Sequence, residues 1–173
     1  MKSSSLLSLV AALVIVSGLG FWLLQDDMQQ TETSTSLLGE FEQQLAAVTK
    51  VDISDANGQL LVAELLEGEW VATHIESGLQ FPADKNLLVG LIASLSEAAF
   101  YQPKTQNPGN YARLAVEDVT SEDAQSRLLT LYAGDKAFSV LVGNTATSGV
   151  GSFVRFPEQA QSWLIDRRLN LPI

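Results

Sequence analysis

Residues 81–114, FPADKNLLVGLIASLSEAAFYQPKTQNPGNYARL, decide how the chain folds. Pro82 suits a place before or inside the first turn of a helix, and Asp84 sets a carboxylate where the helix dipole favours one. Leu87, Leu88, Leu91, Ile92, Leu95 and Ala98 then recur at three- and four-residue spacing, so one face is apolar. Each of the larger side chains contributes about 1.5–3 kcal/mol when buried. Fixing the backbone opposes that with about 1–2 kcal/mol per residue. The helix therefore needs a sheet to lie on.

The flanking sequence supplies it. Before the helix, Ser36 is placed to cap a helix to about Val48, with Leu38, Phe41, Leu45 and Val48 on one face. Val51 and Ile53 alternate with polar residues as a strand. Asn57-Gly58 is a hairpin signal, since both turn positions take positive φ, and Gln59–Leu66 returns as a second strand. Glu67-Gly68 turns again into Glu69–Thr73, with Trp70 facing the core. After the helix, Pro103 forces Tyr101–Thr105 out of helical geometry, and Asn107-Pro108 opens a brief helix ending near Leu114. Asp118–Ser126 reads as acidic loop. Arg127–Tyr132 pairs with Ala137–Gly143, and Phe153–Phe156 with Ser162–Asp166 across Pro157. Strands outnumber helices and arrive as hairpins. The fold class expected is α+β: an N-terminal transmembrane helix, then one domain of antiparallel β-hairpins packed on a central amphipathic helix.

The transmembrane expectation rests on Leu6–Leu24, an uncharged run that spans ~28 Å as a helix, close to a bilayer's hydrocarbon thickness. Lys2 precedes it, Phe21 and Trp22 fall at its far end, and Asp26 and Asp27 follow. That order puts the N-terminus in the cytoplasm and the rest outside. A cleaved signal peptide is the alternative, but its apolar core is shorter and ends in small residues, whereas this run closes with FWLL. The layout is then residues 1–5 in the cytoplasm, 6–24 as a single-pass anchor in the lipid bilayer, 25–36 as polar linker and 37–173 as the extracytoplasmic domain.

Composition narrows the function classes. The chain of 173 residues has a net charge of −10 and no basic stripe, which excludes nucleic acid as a partner. It has no cysteine, so disulfides, thiolate metal sites and Cys nucleophiles are excluded. His74 is the single histidine; with Glu67, Glu69 and Glu76 it makes a poor metal set, and Ser152 lacks the strand-turn-helix setting of a nucleophile elbow. GNTATSGVG, residues 143–151, precedes a strand rather than a helix and is not a phosphate loop. Glu117, Asp118, Glu122 and Asp123 lack calcium-loop spacing. No catalytic residue, cofactor or metal is assigned. The best cluster is Lys104, Thr105, Tyr111, Arg113 and Arg155, scarce cations that form a tentative partner or ligand surface, with the arginines also placed to pair with Glu117 or Asp118. Trp163 joins it through a pocket expected between the central helix and the C-terminal hairpins, lined by Trp70, Tyr111 and Trp163 with Arg155 as polar handle. Arg167-Arg168 are expected at the surface, with Leu169 and Leu171 docking back.

The apolar anchor, LLGEF, FPADKNLL, PKTQNPGNYARLAVED, VLVGN, FVRF and WLIDRRLNLP, in that order, resemble domain of unknown function 4340. The resemblance spans about Leu37 to Pro172 and is most specific over Lys104–Asp118. It implies a bacterial protein anchored in the inner membrane, a domain facing the periplasm, and membrane subunits of a gliding-motility-type ABC transporter as partners. It implies no catalytic residue. Ala115 stands where the family has glycine, which argues against a left-handed turn there, and Phe153 replaces a tyrosine. The function expected is a non-enzymatic, membrane-anchored accessory or binding domain. The alternative is a periplasmic small-ligand-binding or sensing module.

Overall fold

From Lys50 onward the alternating pattern becomes strands. The structure, a computed structural model, describes residues 35–147 and 149–172. Nine strands form one sheet: β1 (Lys50–Asp55), β2 (Gly58–Leu66), β3 (Glu69–Thr73), β4 (Gln80–Pro82), β5 (Phe100–Pro103), β6 (Arg127–Ala133), β7 (Lys136–Thr145), β8 (Ser152–Arg155) and β9 (Ser162–Ile165). Their order is β4-β3-β2-β1-β6-β7-β8-β9-β5, with every neighbouring pair antiparallel. One α-helix, α1 (Lys85–Glu97), and two 3₁₀ segments, η1 (Gly39–Ala47) and η2 (Pro108–Arg113), complete the described elements.

This overturns the α+β expectation: the fold is an antiparallel sheet with little helix. Leu6–Leu24, assigned to a transmembrane helix, lies outside the described residues, and among those described no helix is long and apolar enough to cross a membrane. Two expected helices are 3₁₀, and the segments around Phe81 and Tyr101, expected as helix entry and exit, are strands. The geometry of η1 has a physical reason. Its ends are pinned, by Leu37 N–H on Ala98 O at 2.8 Å and by Thr49 N–H on Tyr132 O at 2.9 Å. Nine residues cover ~18 Å as a 3₁₀ helix against ~14 Å as an α-helix, so the tighter winding bridges more distance. Ser36 does not cap it; the residue pairs with Ala99 instead.

The topology is two four-stranded meanders, β1–β4 and β6–β9, each walking outward from the central β1–β6 pair. The connection from β4 to β5 joins opposite edges. In a flat sheet these edges would stand about 38 Å apart, eight steps of ~4.8 Å. The 13 residues of α1 span ~20 Å, and the extended pieces through Ala83–Asp84 and Ala98–Ala99 add about 20 Å at most. A flat sheet would pull this connection taut, whereas Leu88, Leu91 and Leu95 pack into one core with strands of both halves, so the sheet curls around the helix, as strand twist allows.

That geometry builds the core. Leu88, Leu91 and Leu95 of α1 meet Val51, Ile53, Leu129, Leu131, Val140 and Ile165 in one buried cluster. Asp84 caps the helix, its Oδ1 accepting from Asn86 N at 2.9 Å and Leu87 N at 3.3 Å. Pro82 lies in β4 rather than in the helix, and Leu87, expected on the core face, is 55% exposed. Trp70 is buried as expected. The tail also docks back: Leu169 is buried and its N–H bonds Ser152 Oγ at 3.1 Å, while Arg167 and Arg168 are exposed.

The paired positive φ expected at Asn57-Gly58 occurs instead at Glu67-Gly68, with φ of 52° and 88°. The first hairpin turns through Ala56 and Asn57, with Asn57 N–H on Asp55 Oδ1 at 2.7 Å and a register shift between Ile53 and Ser54. The sheet's two edges are blunted by proline, Pro82 in β4 and Pro103 in β5, which removes a backbone donor from each.

Candidate functional site

Arg155 is the residue from which the site is built. Val154 enters the main core, so strand alternation turns Arg155 to the other face of β8, beside its cross-strand neighbour Leu141. That face is covered by η2 and the chain after it. The cover sits close: Asn144 N–H bonds Leu114 O at 2.9 Å, and a Cβ on Gly143 would stand 2.2 Å from Leu114 O. The covering chain turns at Ala115, whose φ is 55°. The left-handed turn is thus present without glycine, contrary to the expectation drawn from the family pattern.

Arg155 is 3% exposed. Burying a guanidinium requires partners for its donors, and the backbone supplies most of them. Nε donates to Val116 O at 2.8 Å; Nη1 donates to Gln159 O at 3.0 Å and more weakly to Pro157 O and Phe156 O at 3.3 and 3.4 Å. Nη2 lies 2.9 Å from Asp118 Oδ1, a charge contact whose angle makes no hydrogen bond, and Asp118 is about half exposed. The guanidinium carbon sits 4.5 Å from the centre of the Tyr111 ring. Tyr111 Oη in turn donates to Ala160 O at 2.6 Å. One arginine and one tyrosine therefore bind three chain segments together: η2, the 116–118 turn and the 156–160 turn.

Beside this staple opens a groove of 360 Å³, walled by Pro108, Tyr111, Glu117, Asp118, Pro157 and Glu158, with Arg155 in its lining. Its exposed charge is acidic, because Arg155 is already engaged and Asp118 and Glu158 are the accessible ionised groups. Glu117 Oε2 is buried and has no hydrogen-bond partner among the described residues.

The structure brings together only part of the predicted cluster. Tyr111 and Arg155 converge, and Arg155 pairs with Asp118 as expected. Thr105 closes a turn: its N–H bonds Ser162 Oγ at 3.0 Å, its carbonyl accepts from Ser162 N at 2.9 Å, and its Oγ1 accepts from Asn107 N at 3.0 Å. Lys104 is exposed, bonded to Gln102 Oε1 at 2.7 Å and 5.7 Å from the Phe153 ring centre. Arg113 is exposed at the end of η2. Trp163 faces the main core, its ring 4.9 Å from that of Phe100. The expected pocket is therefore not formed: Trp70 and Trp163 pack on the helix side of the sheet, Tyr111 and Arg155 on the other. The expected cationic spot is a buried cation under an acidic groove.

The carbonyls of Pro157 and Gln159 went unforeseen; the only sequence sign was a Pro-containing turn directly after Arg155. His74 lies in an exposed turn, its Nδ1 3.0 Å from Ser77 Oγ, and no group of three or more His, Asp or Glu among the described residues is arranged to hold a metal. β7 runs to Thr145, so the stretch that opens at Gly143 begins as strand. Comparison of the chain with family models, with curated proteins and with solved structures finds no match.

Proposed function

We propose that the chain is a membrane-tethered, extracytoplasmic accessory domain that works by binding rather than by catalysis, as a subunit of an ABC-transporter-like complex. The groove beside Arg155 carries this reading. Its walls are held by hydrogen bonds to backbone carbonyls and by the Tyr111 hydroxyl, so little ordering remains to be done when a partner enters. Its accessible carboxylates, Asp118 and Glu158, complement a lysine or arginine on an extracytoplasmic loop of a membrane subunit. The transporter association comes from the resemblance to domain of unknown function 4340. The most specific part of that resemblance, Lys104–Asp118, supplies Pro108, Tyr111, Glu117 and Asp118 to the groove wall.

The test is a pull-down of the tagged full-length protein from its native membrane in mild detergent, followed by mass spectrometry. Transporter-type membrane subunits are expected in stoichiometric amount with the wild type and are expected to be lost with Glu158→Arg, a substitution at an exposed position. A wild-type protein that comes down alone refutes the accessory reading. Equal recovery with Glu158→Arg refutes the groove as the contact.

A further inference from the structure

Four large apolar side chains are exposed within one short stretch: Ile75 at 40%, Leu79 at 69%, Phe81 at 48% and Leu87 at 55%. Phe81 and Leu87 border a shallow apolar hollow of 140 Å³ between β4 and the start of α1. Leu79, directly before β4, is the most exposed of the four. An apolar hollow bordered by exposed Phe81 and Leu87, with exposed Leu79 close by in sequence, marks a contact with another apolar phase.

We infer that this rim rests on the lipid surface of the membrane to which the chain is tethered. The inference rests on the proposed tether through Leu6–Leu24. Three features choose lipid over a protein. The edge next to the rim cannot recruit a strand: β4 has three residues, Gln80 has the outward-facing amide, and Pro82 has none. The hollow is too small to seat a partner's helix, whereas an acyl interface needs apolar side chains and no matching shape. The tether also fits. The chain joins the sheet at the Ser36–Ala99 bridge, beside the C-terminal end of α1, and α1 carries the path back to the rim over ~20 Å. The stretch Gln25–Ser34 reaches at most about 36 Å, which holds the domain within contact range of the bilayer and makes even a weak interfacial affinity effective.

The chain has no cysteine, so single-cysteine labelling needs no background removal. Full-length Leu79→Cys, Leu87→Cys, Glu158→Cys and Ala12→Cys would each be spin-labelled and reconstituted in phosphatidylcholine vesicles. Collision with oxygen and with a water-soluble nickel chelate would then be measured by power saturation. Labels at 79 and 87 are expected to lose nickel accessibility several-fold relative to the label at 158 and to gain oxygen accessibility. Labels at 79 and 87 as water-exposed as the one at 158, with 12 buried, overturn the rim contact while leaving the tether intact. A water-exposed label at 12 overturns the tether and the inference with it.

Discussion

Replacing Arg155 by methionine tests whether the guanidinium is a structural staple or a ligand-binding group. Methionine keeps the length of the side chain and removes every donor. The two shortest backbone bonds, Nε to Val116 O at 2.8 Å and Nη1 to Gln159 O at 3.0 Å, involve a charged donor and contribute about 1.5–3 kcal/mol each. The Asp118 contact adds less than about 1 kcal/mol, because that carboxylate is half exposed and water screens it. The expected loss is therefore about 3–6 kcal/mol, overlapping the range of about 3–5 kcal/mol found when one partner of a buried ion pair is removed. Arg155→Lys recovers little, since an ammonium cannot reach Val116 O and Gln159 O together. Asp118→Asn costs less than about 1 kcal/mol. The assay is equilibrium urea unfolding of the full-length protein in mild detergent, followed by tryptophan fluorescence, with the midpoint and slope fitted separately. A loss within 1 kcal/mol for Arg155→Met refutes the staple and leaves the guanidinium free for a ligand.

Other substitutions probe the same construction. Gly143→Ala brings a Cβ to 2.2 Å from Leu114 O and is expected to cost at least about 1–3 kcal/mol, whereas Gly90→Ala on α1 meets nothing within 4 Å and is expected to gain about 0.5–1 kcal/mol; thermal unfolding separates the two by sign. Ala115→Gly relieves the positive φ at that turn and is expected to raise the melting temperature, with a ceiling of about 1 kcal/mol because glycine also frees the unfolded chain. Lys50 donates to Glu64 at 3.0 Å, and that hydrogen bond holds its pKa above the ordinary 10.5. A raised pKa stabilises the fold below the unfolded value and ceases to do so as pH climbs through the folded one, so stability is expected to fall above about pH 10.5. The effect stays within about 1 kcal/mol for this partly exposed pair, and Glu64→Gln is expected to flatten that limb of the pH–stability curve.

What was legible in the sequence was local. Leu88, Leu91 and Leu95 declared the core face of α1, and Glu67-Gly68, Gly134-Asp135 and Pro157 marked turns between strands that pair in sequence order. What was not legible depends on partners far along the chain. Phe100–Pro103 is a strand because β9, some 60 residues later, pairs with it, and Gln80–Pro82 is too short and too close to a proline to read as one. Those two strands, and the 3₁₀ winding of η1 and η2, are why an α+β reading gave way to a predominantly β fold. The site shows the same limit. Tyr111 and Arg155 stood out as an aromatic and a scarce cation. That the cation would be buried depends on carbonyls from Val116 and Gln159, and a carbonyl leaves no mark on the sequence.

The topology also bears on how the two proposed contacts relate. The meander β1–β4 carries the apolar rim at its outer edge, and its solvent-facing side holds polar contacts such as Lys50–Glu64 and Asp52–Gln59. The meander β6–β9 has its second face covered by η2 and the turn at Ala115, and the groove lies on that cover. Each contact is thus built on its own meander, and the two meanders hydrogen-bond to each other through β1 and β6. Substitutions at Glu158 and at Leu79 share no neighbour, so their effects on binding are expected to combine independently. A domain divided in this way can rest one edge on lipid and still present its opposite face to a membrane subunit.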